Sequence, residues 1–148
     1  MNPSAAIPST AASSGIRAAV LVAATPRIRL VTLRANDGDP SAYNQAVSRQ
    51  FCDGRGFLQM VPHSEDVAST LVAYVDEDGI AKRLPYNALT TRLEELGFYV
   101  EEPMLGNIVL TGSANVPGEG LVEASLPEAT VATLRTWGVP VEVESEGV

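Results

Sequence analysis

The alternation of apolar and polar residues along the chain predicts a series of short strands. Runs rich in Val, Leu and Ile that stop at Pro, Gly, Asn or Asp are typical of strands. Such runs predict strands over 18–24, 28–33, 57–61, 70–75, 80–83, 98–100, 107–111 and 139–143. An Asp-Gly turn separates 70–75 from 80–83, and this dipeptide between apolar runs is typical of a hairpin. The segment 113–120 contains Asn, Pro and Gly and is expected to be a loop.

Three further segments carry apolar residues at helical spacing. The first follows Asp39-Pro40, where an N-cap and a first-turn proline fall together. The second opens at Pro85 and is expected to end at Gly97, and the third follows Ser125 and Glu128 at the spacing of a capping box. Their apolar stripes are Tyr43, Val47 and Phe51; Tyr86, Leu89, Leu93 and Leu96; and Val131, Leu134 and Trp137. Each stripe is expected to face a core.

Strands in hairpins that are interrupted by a few helices predict an α+β fold. We expect a small, mostly antiparallel sheet built from hairpins, with two to three short helices packed on it. Residues 1–16 hold no charged side chain and are expected to form a flexible tail. Residues 17–143 are expected to form a single domain, which suits a chain of 148 residues. Residues 144–148 form an acidic end.

The counts of cysteine, histidine and long apolar runs remove several classes of protein. The chain has one cysteine and one histidine, Cys52 and His63, so neither an internal disulfide nor a four-ligand zinc site of these residues can be built. No run approaches the roughly 20 apolar residues that span a bilayer, which argues against a membrane protein. No metal or other cofactor is indicated.

The single cysteine and the single histidine are also the only candidates for a thiol–imidazole catalytic pair. A cysteine nucleophile needs a base within reach. Cys52 lies beside Phe51 at the end of the first predicted helix, where a small packed thiol is the ordinary interpretation. His63 is expected in a surface loop. We therefore expect a non-enzymatic protein, and a small enzyme that uses Cys52 or His63 is the less favoured alternative.

Charge is spread unevenly along the chain, whose formal net charge is −8. Residues 1–60 hold six basic and three acidic groups, a net of +3, whereas residues 61–148 hold four basic and fifteen acidic groups, a net of −11. So acidic a part repels phosphate, which argues against direct nucleic-acid binding. This acidic part would bind a basic surface of another protein, or it serves only to keep the protein soluble. Free edges of hairpins would also allow a homo-oligomer.

One part of the chain, residues 56–112, resembles a known family. The resemblance is carried by Leu84-Pro85-Tyr86-Asn87 with Thr91 and Leu93, similar to a pattern Leu-Pro-x-Asn-x-x-Ala-Thr-x-Leu, although Thr90 stands where the pattern has Ala. The acidic turn segment 74–79 and the segment 106–112, Gly-Asn-Ile-Val-Leu-Thr-Gly, resemble the family's hairpin and closing strand. The family is a domain of unknown function common in phages, plasmids and actinobacterial genomes. The resemblance implies a small α+β domain in a mobile element, without an assigned reaction.

These observations lead to one leading function and one alternative from another class. The leading hypothesis is a non-enzymatic accessory protein of a phage or other mobile element that binds a macromolecule in the cytoplasm of the bacterial host, for example as a host-defence inhibitor. The alternative is a protein that binds or sequesters a small ligand such as a nucleotide. Arg83, Tyr86 and Asn87 would then supply charge, stacking and hydrogen bonds where the hairpin meets the helix. A purely structural role for Asn87 is the simpler interpretation.

Overall fold

A computed structural model describes residues 15–35, 42–64, 70–118 and 120–144. Within them the chain forms a seven-stranded sheet with three short helices. The strands are β1 (Ile16–Val22), β2 (Arg27–Leu33), β3 (Leu58–Met60), β4 (Leu71–Asp76), β5 (Ile108–Val116), β6 (Gly120–Ala124) and β7 (Val141–Val143). The helices are α1 (Ala42–Ser48), a 3-10 helix (Thr90–Leu96) and α2 (Glu128–Leu134). None of the described helices is long and apolar enough to cross a membrane.

The strands run in the order β3-β4-β5-β1-β2-β7, and β6 pairs with β5. The α+β class is confirmed, but two details of the expected sheet are corrected. The sheet has seven strands and is therefore not small, and it is mixed because β7 pairs in parallel with β2. A parallel partner needs a long crossover, so this pairing joins segments that no local turn signal connects.

Both faces of the sheet are covered, which explains why the β1 sequence is almost continuously apolar. Successive side chains of a strand point to opposite faces, so β1 supplies both cores. On one face the strands pack against the 3-10 helix and α2, through residues that include Leu93, Phe98 and Leu134. On the other face they pack against α1, through Val47 and Phe51. The expected apolar stripe of the first helix is thus confirmed at these two positions, while its start at Asp39-Pro40 lies outside the described residues.

The segment 80–83 is not a strand, so the hairpin expected there is wrong. After β4 the chain makes consecutive turns, in which Lys82 N donates to Asp78 O and Leu84 N donates to Gly79 O. The cause is local, because the buried Asp76 carboxylate accepts a hydrogen bond from Asp78 N at 2.9 Å and one from Lys82 Nζ at 2.7 Å. These bonds curl the chain back on itself and leave β4 to pair with β3 and β5 instead.

The two later helices differ in detail from expectation. The second is a 3-10 helix that begins only at Thr90, because Asn87 holds the residues before it in a turn: its Oδ1 accepts Leu89 N at 2.9 Å. Gly97 ends this helix in the left-handed conformation as predicted, with φ of 92°. At the start of α2 the capping box is absent, since Ser125 Oγ accepts Arg17 N instead.

Three other segments also differ from the prediction. The expected loop at 113–120 is largely strand, since β5 runs to Val116 and forms a hairpin with β6. Of the expected strand at 98–100, Phe98 makes one isolated bridge, to His63. Of the expected tail, residues 1–14 lie outside the described residues, and Ile16 already belongs to β1.

A polar network ties β6 to the middle of the sheet. The Glu123 carboxylate on β6 accepts hydrogen bonds from Thr111 Oγ1, at 2.6 Å, and from the Tyr74 hydroxyl on β4. Tyr74 is buried, and this burial together with the adjacent carboxylate raises the pKa of its phenol. The neutral phenol is therefore the form that the folded protein stabilises.

Replacing Tyr74 with Phe should reduce the loss of stability at alkaline pH. Unfolded tyrosine ionises near pH 10, whereas folded Tyr74 keeps its proton, so the free energy of unfolding falls as pH rises above about 10, by at most about 1.4 kcal/mol per pH unit for one proton. Urea unfolding at pH 7 and pH 11 measures this fall. It should be smaller in Tyr74→Phe, although not zero, because Lys82 and Tyr99 also have raised pKa values.

The control is Tyr43→Phe, at a half-buried tyrosine on α1. It should keep the alkaline loss of the parent protein. An equal loss in the parent and in Tyr74→Phe would contradict the role given to Tyr74.

Candidate functional site: an acidic groove beside β3

A groove with a volume of about 380 Å³ lies beside β3 at one edge of the sheet. We call it the acidic groove and define it by three walls. β3 and the residues after it supply Gln59 and Pro62, and the β4 end and its turn supply 75–77, 79 and 80. The third wall is the segment 99–105, of which all residues but Val100 line the groove. Its floor is apolar, since Val75, Met104 and Leu105 line it.

The groove carries negative charge on its rim. Glu77, Glu101 and Glu102 line it and are exposed, and none of the described lining residues is Lys or Arg. Two apolar side chains stand exposed at the same rim, Ile80 at 82% and Tyr99 at 51%. The site therefore combines carboxylates with apolar surface, in contact with solvent.

A hydrogen bond fixes one aromatic side chain of the rim. The Tyr99 hydroxyl donates to Glu101 Oε1 at 2.7 Å, and this bond to a carboxylate raises the pKa of Tyr99. Tyr99 N also donates to Pro62 O at 2.8 Å, which holds the beginning of the wall against the segment that directly follows β3.

The far part of the 99–105 wall is anchored by backbone bonds rather than by regular structure. Asn87 N donates to Met104 O at 2.8 Å, and Met104 N donates to Thr90 Oγ1 at 3.1 Å. Gly106 N donates to Pro85 O at 2.7 Å. Because an irregular segment with this many buried partners has few alternative positions, the wall is held in place.

The turn that forms the second wall is fixed by a charge cluster. Lys82 Nζ lies 2.7 Å from Asp76 Oδ2 and 3.1 Å from Asp53 Oδ2, and it donates to Arg55 O at 3.0 Å. The pKa of Lys82 is raised chiefly by its bond to Asp76, and the pKa of Asp53 is lowered chiefly by its bond to Lys82. Asp76 is thus engaged within the fold, whereas Glu77 beside it remains exposed to the groove.

The three residues that the sequence singled out as a ligand site differ in burial. Arg83 and Tyr86 are exposed, and Arg83 adopts a positive φ of 54° in the turn. Asn87 is fully buried, and its Nδ2 donates to Leu21 O and to Gly106 O, each at 2.9 Å. Every described bond of this amide is made to the protein's own backbone, which agrees with a structural role. Whether Arg83 and Tyr86 bind a ligand stays a prediction.

Cys52 and His63 are also kept apart. Cys52 follows α1 and is an exposed residue, and its thiol donates to Asn107 Oδ1 at 3.6 Å. The His63 ring stacks on Phe98 of the core on the face opposite α1, with ring centroids 4.9 Å apart, and its Nε2 donates to Leu71 O. The two side chains do not form a nucleophile–base pair in this fold.

The charge imbalance read from the sequence is partly cancelled by the fold. Arg27 and Arg29 on β2 form ion pairs with Glu142 and Glu144 at β7. The acidic groups of the groove have no such partners among its described lining residues. Glu77, Glu101 and Glu102 are thus exposed carboxylates without a basic neighbour among the described residues that line the groove.

Sequence reasoning missed this site. Adjacent glutamates such as Glu101-Glu102 are expected to diverge on a helix or strand, but the segment 99–105 is irregular and both residues line the groove. The available signal was its composition, Tyr-Val-Glu-Glu-Pro-Met-Leu, which mixes acidic and large apolar residues within one turn-rich stretch.

Comparison with protein-family models, with curated proteins and with solved structures gave no match. The family resemblance of residues 56–112 stays a prediction. Among the residues described by the structure, no group of three or more His, Cys, Asp or Glu side chains is placed to hold a metal ion. The site is therefore interpreted from its own geometry.

Replacing Asn87 with Ala should lower the free energy of unfolding by about 2–4 kcal/mol, because three buried hydrogen bonds are lost and two backbone carbonyls lose a donor. Urea unfolding at pH 7 measures the change. The matched control is Asn44→Ala on the exposed surface of α1, which should change the value by no more than about 0.5 kcal/mol. Equal effects of the two variants would refute the anchoring role of Asn87.

Proposed function

We propose that this protein is a non-enzymatic binding protein that holds a basic segment of another protein in the acidic groove. The observation that carries the proposal is the combination, in one groove, of three exposed glutamates with an apolar floor and no described basic lining residue. Neither feature alone would identify a partner. Together they match the chemistry of lysine and arginine side chains.

A lysine or arginine side chain has an apolar stem and a charged head, and it lies with the stem on apolar surface. In the acidic groove the stem would contact Met104 and Leu105 while the head meets Glu101 or Glu102. The exposed ring of Tyr99 adds a surface for a cation–π contact. Rim carboxylates also raise the rate at which a basic partner arrives, and this steering weakens with salt.

The same charge argues against the nucleotide alternative at this position. A nucleotide carries phosphates, and three carboxylates without a facing cation repel them. A small cationic ligand would suit the groove, but the continuation of the site along an open strand edge favours a polypeptide. Action in a phage or other mobile element, including inhibition of a host defence, is supported by the sequence resemblance alone.

Removing two groove charges should weaken the binding of a basic peptide. The probe is a dye-labelled, capped decapeptide in which lysine alternates with valine and threonine, and the measurement is fluorescence anisotropy at 20 mM NaCl. The double variant Glu101→Gln, Glu102→Gln should bind about 5- to 20-fold more weakly, since each exposed charge contact contributes up to about 1 kcal/mol. Gln retains the shape and the acceptor oxygen for Tyr99.

The matched control, Glu94→Gln, Glu128→Gln, removes the same charge at exposed positions that do not line the groove. It should bind like the parent protein. Equal weakening by both double variants would show that only net charge matters, and an absence of peptide binding to the parent protein at 1 mM would sink the proposal.

A further inference from the structure

We infer that the basic segment binds as an added antiparallel strand on the outer edge of β3, over Phe57–Met60. This inference rests on the proposed function and specifies its geometry. Addition of a strand to an exposed sheet edge supplies main-chain hydrogen bonds for affinity and alternate side-chain positions for specificity. The groove lies directly beside this edge, so one set of side chains would enter it.

Alternate residues of β3 hydrogen-bond to β4, so the backbone groups of the residues between them face outward. Glu77 N donates to Phe57 O, and Val61 N donates to Ala73 O. In an antiparallel pair hydrogen-bonded residues alternate, so the backbone of Gln59, opposite Val75, also faces β4. The N–H and C=O groups of Leu58 and Met60 therefore face the outer edge. β3 is the last strand of the described sheet on this side.

Directly after β3, at residues 62–64, the same edge is already paired within the protein. This pairing limits the length of the added strand and sets its direction. Beyond Met60, the chain pairs with Gly97–Tyr99: Tyr99 N donates to Pro62 O and Ser64 N donates to Gly97 O. This pairing is antiparallel, as is that of β3 with β4. A bound segment that continues the line of Gly97–Tyr99 would run in the same direction and meet only Phe57–Met60.

The alternation of faces then specifies the bound sequence. Residues opposite one another in a ladder share a face, so the partner residue opposite Gln59 would point to the groove side, as Gln59 and Val75 do. That position suits Lys or Arg. The partner residues opposite Leu58 and Met60 would point to the other face, where the Met60 side chain is 59% exposed. Those positions suit apolar or β-branched residues.

Charge makes a basic segment a better occupant of this edge than a second copy of the chain. Pairing of β3 with β3 of another copy would bring two sets of Glu77, Glu101 and Glu102 to one interface. Like charges brought together at an interface oppose association. Sedimentation of the free protein would detect self-association.

The test uses modified peptides, so the protein itself stays unchanged. The parent probe is the decapeptide of alternating lysine with valine and threonine. One derivative carries N-methyl groups on the valine and threonine residues, whose N–H groups would face Leu58 and Met60. A second derivative carries the same number of N-methyl groups on the lysines, whose N–H groups would face solvent. A block peptide of identical composition, with its lysines consecutive, tests the alternation.

We expect N-methylation of the valine and threonine residues to weaken binding by about tenfold or more, since two or more ladder hydrogen bonds are lost. N-methylation of the lysines should change affinity less than about threefold, and the block peptide should bind more weakly than the alternating one. Sedimentation of the free protein at 20 mM NaCl should give a monomer.

Equal effects of the two methylation patterns, with retained dependence on Glu101 and Glu102, would overturn strand addition and leave the proposed function standing. A reversed pattern would overturn the antiparallel direction. Failure of the unmodified peptide to bind would overturn both proposals, and a salt-resistant dimer that excludes the peptide would assign the edge to a second copy.

Discussion

Two buried asparagine side chains, Asn87 and Asn107, make the hydrogen bonds on which both covering layers of the sheet depend. They lie where β1 ends and β5 begins, at the centre of the strand order. Asn87 donates to Leu21 O and Gly106 O from the face that carries the 3-10 helix. Asn107 accepts from Ala23 N at 3.0 Å and donates to Gln50 O at 2.9 Å, just after α1 on the opposite face. Backbone groups at the ends of the central strand pairing are thus satisfied by side chains that also attach the flanking segments.

The acidic groove follows from this anchoring. The 99–105 wall has no helix or strand of its own beyond one isolated bridge at Leu105, and it is held through Asn87, Thr90 and Pro85. A second fixed point is the Asp76–Lys82 pair, because Lys82 also bonds to Asp53 and to Arg55 O and so ties the turn after β4 to the segment that leads into β3. Among the described strands none pairs with the outer edge of β3, so this edge stays open. Local polar bonds therefore create the surface, and the apolar cores hold it in place.

The sequence predicted those features that depend on short-range pattern. The apolar runs located most strands, the stripes located α1 and α2, and Gly97 ended the helix before it in the predicted conformation. It missed features in which a polar side chain overrides the pattern. Asp76 prevented a hairpin although Asp-Gly stood at the predicted turn, and Asn87 delayed to Thr90 the helix that the sequence pattern predicted from Pro85. The parallel pairing of β7 and the groove both join residues far apart in the chain, so no local spacing encodes them.

We propose that the protein binds its basic partner on the surface formed by β3 and the acidic groove. The most direct measurement is a titration of the ¹⁵N-labelled protein with the unmodified alternating peptide, followed through backbone amide shifts. We expect the largest changes at the outward amides of Leu58 and Met60 and at Tyr99 and Glu101. Changes centred instead on β7 and its ion pairs with Arg27 and Arg29, or spread evenly over all acidic surfaces, would contradict this proposal.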